Sequence, residues 1–241
     1  MQSETKNKHT SMKTRGETQY INMPFFAVKL YDNLTSVKGV NKSFEEIAHF
    51  LGHILTEGNV LDIGTGPGRL LSEISRQIPK SKLFGLDISK AMIDLAKQNL
   101  LSIQNIDLRV GNINQTDFQD NFFDCIVSTG SFYNWDNPIQ GLNEIFRILK
   151  PDRTAYIFDS YKDFDKKEFS SSLNQNLKDY NFIRKTISKY FLQKQLRMTY
   201  QLDEIKKILD QTIFKDNYII NQIDLGNLPI YVRLELKKLL L

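Results

Sequence analysis

Three glycines at alternate positions, Gly64, Gly66 and Gly68, follow the apolar run Asn59-Val-Leu-Asp-Ile63, and the acid Asp62 stands at the mouth of that loop. Glycine in such a turn lets the main chain reach positive φ and lets a ligand approach bare backbone. A second motif, Gly85-Leu-Asp87-Ile88-Ser89, ends the next apolar run in another acid. A carboxylate at a strand end beside the glycine loop can accept two charge-assisted hydrogen bonds from a ribose diol. The dinucleotide fingerprint G-x-G-x-x-G sets its third glycine one position later, where this chain has Arg69. Asp62 also places negative charge where a pyrophosphate would be repelled and a cationic amino-acid sulfonium attracted. The two motifs together fit a nicotinamide or flavin dinucleotide poorly.

Both motifs need strand ends to carry them, and the surrounding pattern supplies these. Residues 59–63, 82–86, 106–110, 122–128 and 154–159 read as strands. Helical patterns separate them: 69–78, a helix capped by Ser89 and running to about residue 101, and 138–149, stopped by Pro151. Such alternation predicts an α/β fold, a doubly wound, mostly parallel Rossmann-like sheet with helices on both faces. Upstream, 43–55 has helical spacing, and Ser43 with Glu46 has the form of a capping box. Downstream, 161–201 is expected to be a helical cap inserted over an acceptor site, and 202–212 an amphipathic helix. Segments 218–225 and 228–236 read as two strands joined at Gly226-Asn227, a hairpin signal. A polar, flexible tail is expected over 1–20, with one domain over 21–241.

On these motifs the chain resembles the class I S-adenosylmethionine-dependent methyltransferases, of the small-molecule type found in ubiquinone and menaquinone biosynthesis. Asp62-Ile-Gly64-Thr65-Gly66-Pro-Gly68 is similar to their glycine loop, and Gly85-Leu-Asp87-Ile88-Ser89 to their second-strand motif. Phe123 to Trp135 resembles their fourth strand and its loop, and Leu142 to Pro151 the helix and turn before their fifth strand. Asp203 to Leu209, followed by Phe214, resembles their last helix. The resemblance covers roughly 25–160 and 200–240, and ordered motifs are more specific than one glycine loop. It implies a sheet of seven strands, one of them antiparallel, which the terminal hairpin supports. It implies S-adenosylmethionine as cofactor and S-adenosylhomocysteine as product. Gly64, Thr65, Gly66 and Gly68 would then surround the methionine part, with Ser128 and Thr129 facing that end. Asp87 would hold the ribose hydroxyls, Ile88 and Met92 would lie against the adenine, and Asn112 and Ile113 would contact its edge. Tyr31 would cover the cofactor from the N-terminal side. Two positions depart from the family pattern. Asn112 stands where an Asp is usual, and Tyr133 and Asn134 stand where many relatives carry histidines before the tryptophan. With a histidine base missing, Tyr133 is the candidate to orient or deprotonate the acceptor, against a purely structural reading as a packed loop aromatic.

Composition sets the outer limits. The chain has 241 residues, 41% hydrophobic and 25% charged, with a net charge of +4, ordinary for one globular domain. No apolar run is long enough to span a bilayer. The single cysteine, Cys125, allows no internal disulfide and fits a reducing compartment, so a cytoplasmic location is expected. It also disfavours arsenic-type methyl transfer. His49 and His53 lie four apart without the H-E-x-x-H pattern, and no metal is expected. Arg184, Lys185, Lys189, Lys194 and Arg197 form a basic run, read as the solvated face of a helix with Ile183, Ile187 and Phe191 inward in preference to a face that attracts an anionic substrate or RNA. The leading reading is methyl transfer to a small-molecule acceptor, with nucleic acid disfavoured by the absence of Asn-Pro-Pro-Tyr after the fourth strand. An RNA methyltransferase and a non-catalytic S-adenosylmethionine-binding module remain as alternatives.

Overall fold

The computed structural model describes residues 23–240, so the tail expected over 1–20 lies outside the described residues. Two helices, α1 (Phe25–Thr35) and α2 (Lys38–Ile54), precede the alternating region. That region runs β1 (Asn59–Ile63), α3 (Arg69–Gln77), β2 (Lys82–Asp87), α4 (Lys90–Asn99), β3 (Ile106–Val110) and β4 (Cys125–Thr129). A 3₁₀ turn (Phe132–Asn134), α5 (Pro138–Ile148) and β5 (Thr154–Ser160) complete it. Then come α6 (Lys166–Asn176), α7 (Phe182–Met198), α8 (Leu202–Leu209) and the strands β6 (Tyr218–Leu225) and β7 (Leu228–Lys237).

These strands form one seven-stranded sheet in the order β3-β2-β1-β4-β5-β7-β6. The first five are parallel, and β7 inserts antiparallel between β5 and β6. Alternate residues divide between the two faces. Leu61, Ile63 and Phe84 join the core under α5 and α8, whereas Val60, Leu83, Cys125 and Val127 join the one under α2 and α3. Burial pushes the Cys125 thiol up to about 12, so it is an inert core side chain. The strand order reverses between β1 and β4, and a crevice outside the carboxyl ends of strands is where such sheets hold ligands.

The caps follow local chemistry. Ser89 Oγ accepts the Met92 N–H at 3.4 Å to open α4, as expected, and Asn137 with Pro138 opens α5. The capping box expected at Ser43 and Glu46 does not form, because α2 begins at Lys38 and Ser43 lies inside it. The buried Ser43 hydroxyl turns back to the Val40 carbonyl at 2.7 Å. Glu46 instead accepts the N–H of Gly226, at 2.7 Å, in the β6–β7 turn. That turn has φ of 62° at Gly226 and 58° at Asn227, the left-handed pair that a two-residue hairpin demands.

Helix α7 is rotated from the expected phase. Ser188, Leu192 and Leu196 face the core, while Ile183 is 69% exposed. Arg184 sets this rotation: its guanidinium donates to the carbonyls of Asn33 and Ser36 at the end of α1, at 3.1 and 2.9 Å, and lies over the Tyr180 ring. A charged side chain satisfying helix-end carbonyls outweighs the burial of one isoleucine. Among the described residues, no helix is long and apolar enough to cross a membrane.

Candidate functional site

A cavity of about 260 Å³ opens at the carboxyl ends of β1, β2 and β4, where the strand order reverses. Its floor is the β1–α3 loop. Gly64, Gly66 and Gly68 have φ of 71°, 52° and 83°, which explains their alternate spacing. They serve different ends. A side chain on Gly66 would meet nothing within 4 Å and would project into the cavity, so the main chain there is bare. Gly68 does not line the cavity; it opens α3 against Leu100 and Ala96.

Two acids face each other across this floor. Asp87, at the end of β2, accepts the N–H groups of Gly66 and Ser89, each at 2.8 Å. Burial raises its carboxyl pKa against the pull of those hydrogen bonds. Asp62, 2% exposed, is pushed up to about 7 by burial, which the Thr65 side chain partly offsets and the Asp87 charge reinforces. Both line the cavity and become better anions when a cation or a pair of hydroxyls enters.

Of the residues singled out in the sequence, Tyr31, Gly64, Thr65, Gly66, Asp87, Ile88, Met92, Asn112, Ile113 and Tyr133 line this one cavity. Asn112 Oδ1 already accepts the Asn114 N–H at 2.8 Å, leaving it one lone pair for a ligand. Gly68 and Ser128 do not reach the wall. Ser128 is 1% exposed and sits behind Ser131, Oγ to Oγ at 2.8 Å. Ser131 was not anticipated. Its hydroxyl also donates to the Ile63 carbonyl and accepts from Trp135 Nε1 at 3.3 Å, tying β1, β4 and the aromatic turn together. Nothing in the sequence distinguishes it from any loop serine.

Helices α1 and α7 form the roof. Tyr31, Asp32 and Thr35 come from α1, and Leu192 and Gln195 from α7. Arg69, at the start of α3, holds α1 down by pairing with the Asp32 carboxylate at 2.5 Å. Tyr31 and Phe191 meet edge-to-face at 5.7 Å. No α6 residue lines the cavity, so only the second helix of the expected cap reaches it. Phe44, Tyr133, Trp135 and Tyr231 add aromatic side chains to the lining. The turn carrying Tyr133 is anchored by Asp159, whose carboxylate accepts the Tyr133 N–H at 3.3 Å. His49 and His53 are exposed on α2 with Nε2 atoms 3.0 Å apart, away from the site. Among the described residues no group of three or more metal-ligating side chains is gathered.

The cavity suits a ligand with a nucleoside end and a cationic amino-acid end. Bare glycine backbone and two acids lie beside the apolar Leu86, Ile88, Met92 and Ile113. The buried Thr129 Oγ1 and Asn134 Oδ1 in its wall have no hydrogen-bond partner. Residues 60–152, from β1 through the turn before β5, match the methyltransferase-domain family. Demethylmenaquinone methyltransferase of Lactobacillus johnsonii is 28% identical over 197 residues, 73% of this chain and 75% of that protein. The chain carries a methyltransferase domain and is similar to the S-adenosylmethionine-dependent methyltransferases.

The ubiquinone/menaquinone biosynthesis C-methyltransferase UbiE of Geotalea daltonii is 32% identical to this methyltransferase over 127 residues, 50% of this chain and 54% of that one. The chain thus spans about half the length of that relative and three-quarters of the Lactobacillus one. The plantazolicin methyltransferase BpumL in complex with SAH superposes with a TM-score of 0.67 at 19% identity, over 92% of this chain and 93% of that one. A SAM-dependent methyltransferase from Aquifex aeolicus gives 0.62 at 19% identity, over 89% and 100%. The methyltransferase therefore shares their fold.

Proposed function

We propose that this methyltransferase methylates a small molecule with an apolar part, bound against the aromatic side chains of the roofed cavity. The observation that carries this is the roof itself. Side chains of α1 and α7 close over the strand ends, and Phe44, Trp135, Leu192 and Tyr231 give the remaining space an apolar wall. A folded RNA would need an open face there. The names of the sequence relatives point to a quinone-like ring as the first acceptor class to try.

In this reading Asp87 accepts the ribose hydroxyls, and Asp62 with the Gly64–Gly66 backbone holds the amino-acid end. Leu86, Ile88, Met92 and Ile113 pack on the adenine, with the Asn112 oxygen available to its amino group. Thr129 faces that end as expected, Ser131 takes the place expected for Ser128, and Tyr31 covers the ligand from α1. When bound, S-adenosylmethionine supplies an electrophilic methyl group on a sulfonium. The protein's part is to hold the acceptor in line with it and exclude water, which by positioning alone accounts for much of the acceleration. Tyr133, fixed through Asp159, orients the acceptor or takes its proton.

Calorimetric titration with S-adenosylhomocysteine, then methyl-label transfer to a demethylmenaquinone analogue, small phenols and RNA, tests this. Expected are binding that Asp87→Ala abolishes, label in a small acceptor, and a kcat lowered by Tyr133→Phe. Label in RNA alone would replace the acceptor assignment, and unchanged turnover in Tyr133→Phe would remove that residue from the chemistry.

A further inference from the structure

The roof helices have outer faces that the fold leaves unburied. Among the described residues, Phe26 and Leu30 on α1 are 74% and 58% exposed, and Phe182, Ile183 and Tyr190 on α7 are 82%, 69% and 63% exposed. Five of the twelve exposed large hydrophobic side chains therefore lie on two helices of 11 and 17 residues. They are ordered. Phe26, Lys29, Leu30 and Asn33 share one face of α1, and Ile183, Ile187, Tyr190 and Lys194 recur at helical spacing on α7.

The charge on this surface has one sign. Helix α7 carries Arg184, Lys185, Lys189, Lys194 and Arg197 and no acid. The single acid of α1, Asp32, is neutralised by Arg69. Arg184 is turned inward to α1, and Lys185 and Lys189 tie α7 back to the carbonyl of Lys178 and the side chain of Asn174. Lys29, Lys194 and Arg197 are exposed among the apolar residues.

We propose that the outer face of α1 and α7 docks on an anionic lipid surface. A cationic helix pair that exposes aromatic and aliphatic side chains in the same stripes has the composition of an interfacial element: the apolar groups enter the acyl boundary and the cations meet lipid phosphates. A nucleic-acid face would have use for the cations but not for the aliphatic Leu30 and Ile183. The inner faces of the same helices, through Tyr31, Leu192 and Gln195, line the cavity. Docking sets that cavity about one helix diameter, ~10 Å, from the lipid.

Co-sedimentation of the full chain with phosphatidylcholine vesicles, with and without phosphatidylglycerol, tests the proposal. Binding is expected to the anionic vesicles and to weaken with salt. It should fall roughly tenfold or more in Phe182→Ser/Ile183→Ser/Tyr190→Ser, and by a similar factor in Lys194→Gln/Arg197→Gln. S-adenosylhomocysteine affinity, which these exposed positions do not touch, reports that each variant is folded. Three results overturn the proposal: no binding by the folded wild type, vesicle binding indifferent to both variant sets, or a dimer in sedimentation velocity that the apolar variant dissociates. The acceptor assignment is decided separately by the label-transfer assay.

Discussion

Gly66 and Gly68 stand in one loop with the same sign of φ, and their surroundings separate what each is for. A methyl group on Gly66 would face open cavity, whereas one on Gly68 would come within 2.5 Å of Leu100 Cδ1 and 3.4 Å of Ala96 Cβ. Gly66→Ala therefore costs only the left-handed strain, about 1 kcal/mol, and obstructs the ligand. Gly68→Ala adds overpacking, for a loss on the order of 2–3 kcal/mol. Chemical denaturation and S-adenosylhomocysteine titration of both variants should show opposite patterns. Gly66→Ala keeps most of the stability and loses binding by more than roughly tenfold; Gly68→Ala loses stability first. Equal effects on both readouts would mean that the loop does not divide its work this way. The alternate glycines were legible in the sequence because positive φ leaves so few residue types free to choose. Ser131 was not, because its role arises from Ile63, Ser128 and Trp135 converging from three elements.

Helix α2 and the β6–β7 hairpin show the same divide between local and long-range information. Gly226-Asn227 announced a two-residue turn, since few dipeptides adopt two left-handed conformations in succession. What the turn rests on could not be read. Gly226 lies against the Gly39 carbonyl, its N–H goes to Glu46, and Asn176 donates to the carbonyls of Gly226 and Asn227 at 3.2 Å. The expected capping box mistook Glu46 for a local partner when its partner lies 180 residues away. The phase of α7 was missed for a related reason: periodicity favoured Ile183 inward, and only the neighbouring carbonyl ends of α1 explain why Arg184 goes there instead. Strand positions, by contrast, were legible throughout the parallel region, where each strand except the edge strand β3 is largely apolar and all are bounded by turns. The packed turn yields a test. Gly226→Ala places a methyl group onto the Gly39 carbonyl and should cost on the order of 2–3 kcal/mol in denaturant unfolding. Glu46→Gln keeps an acceptor but loses its charge and should cost about 1 kcal/mol. If Gly226→Ala is neutral, the hairpin is not clamped between α2 and α6.

Across the whole molecule, pH should move stability and cofactor affinity in opposite directions. Burial pushes both Asp62 and Asp159 up to about 7, against an unperturbed value of 3.8. Backbone N–H groups of Ser160, Tyr133 and Phe132 only partly offset this at Asp159. Between about pH 4 and about pH 7 the native chain therefore holds more protons than the unfolded one, and stability falls as pH rises through that window. Below it a different pair takes over. Burial favours the neutral forms of Asp124 and Glu144, but hydrogen bonds from Lys150 and Asn59, and from Arg147 and Thr116, outweigh it and hold both carboxyls low. Their stabilisation is lost when they are protonated, so the ligand-free protein should be most stable near pH 4, with a decline on the order of a few kcal/mol toward pH 7. Affinity runs the other way. An amino-acid ammonium beside Asp62 favours the carboxylate, so binding of S-adenosylmethionine should tighten from about pH 5.5 to about pH 7 and release a proton, which calorimetry in buffers of different ionisation enthalpy detects. Asp159→Asn should flatten part of the stability decline and leave the affinity trend intact, because Asp159 lies outside the cavity wall. Asp62→Asn should weaken both trends. An affinity trend that survives Asp62→Asn would move the amino-acid end of the cofactor away from β1.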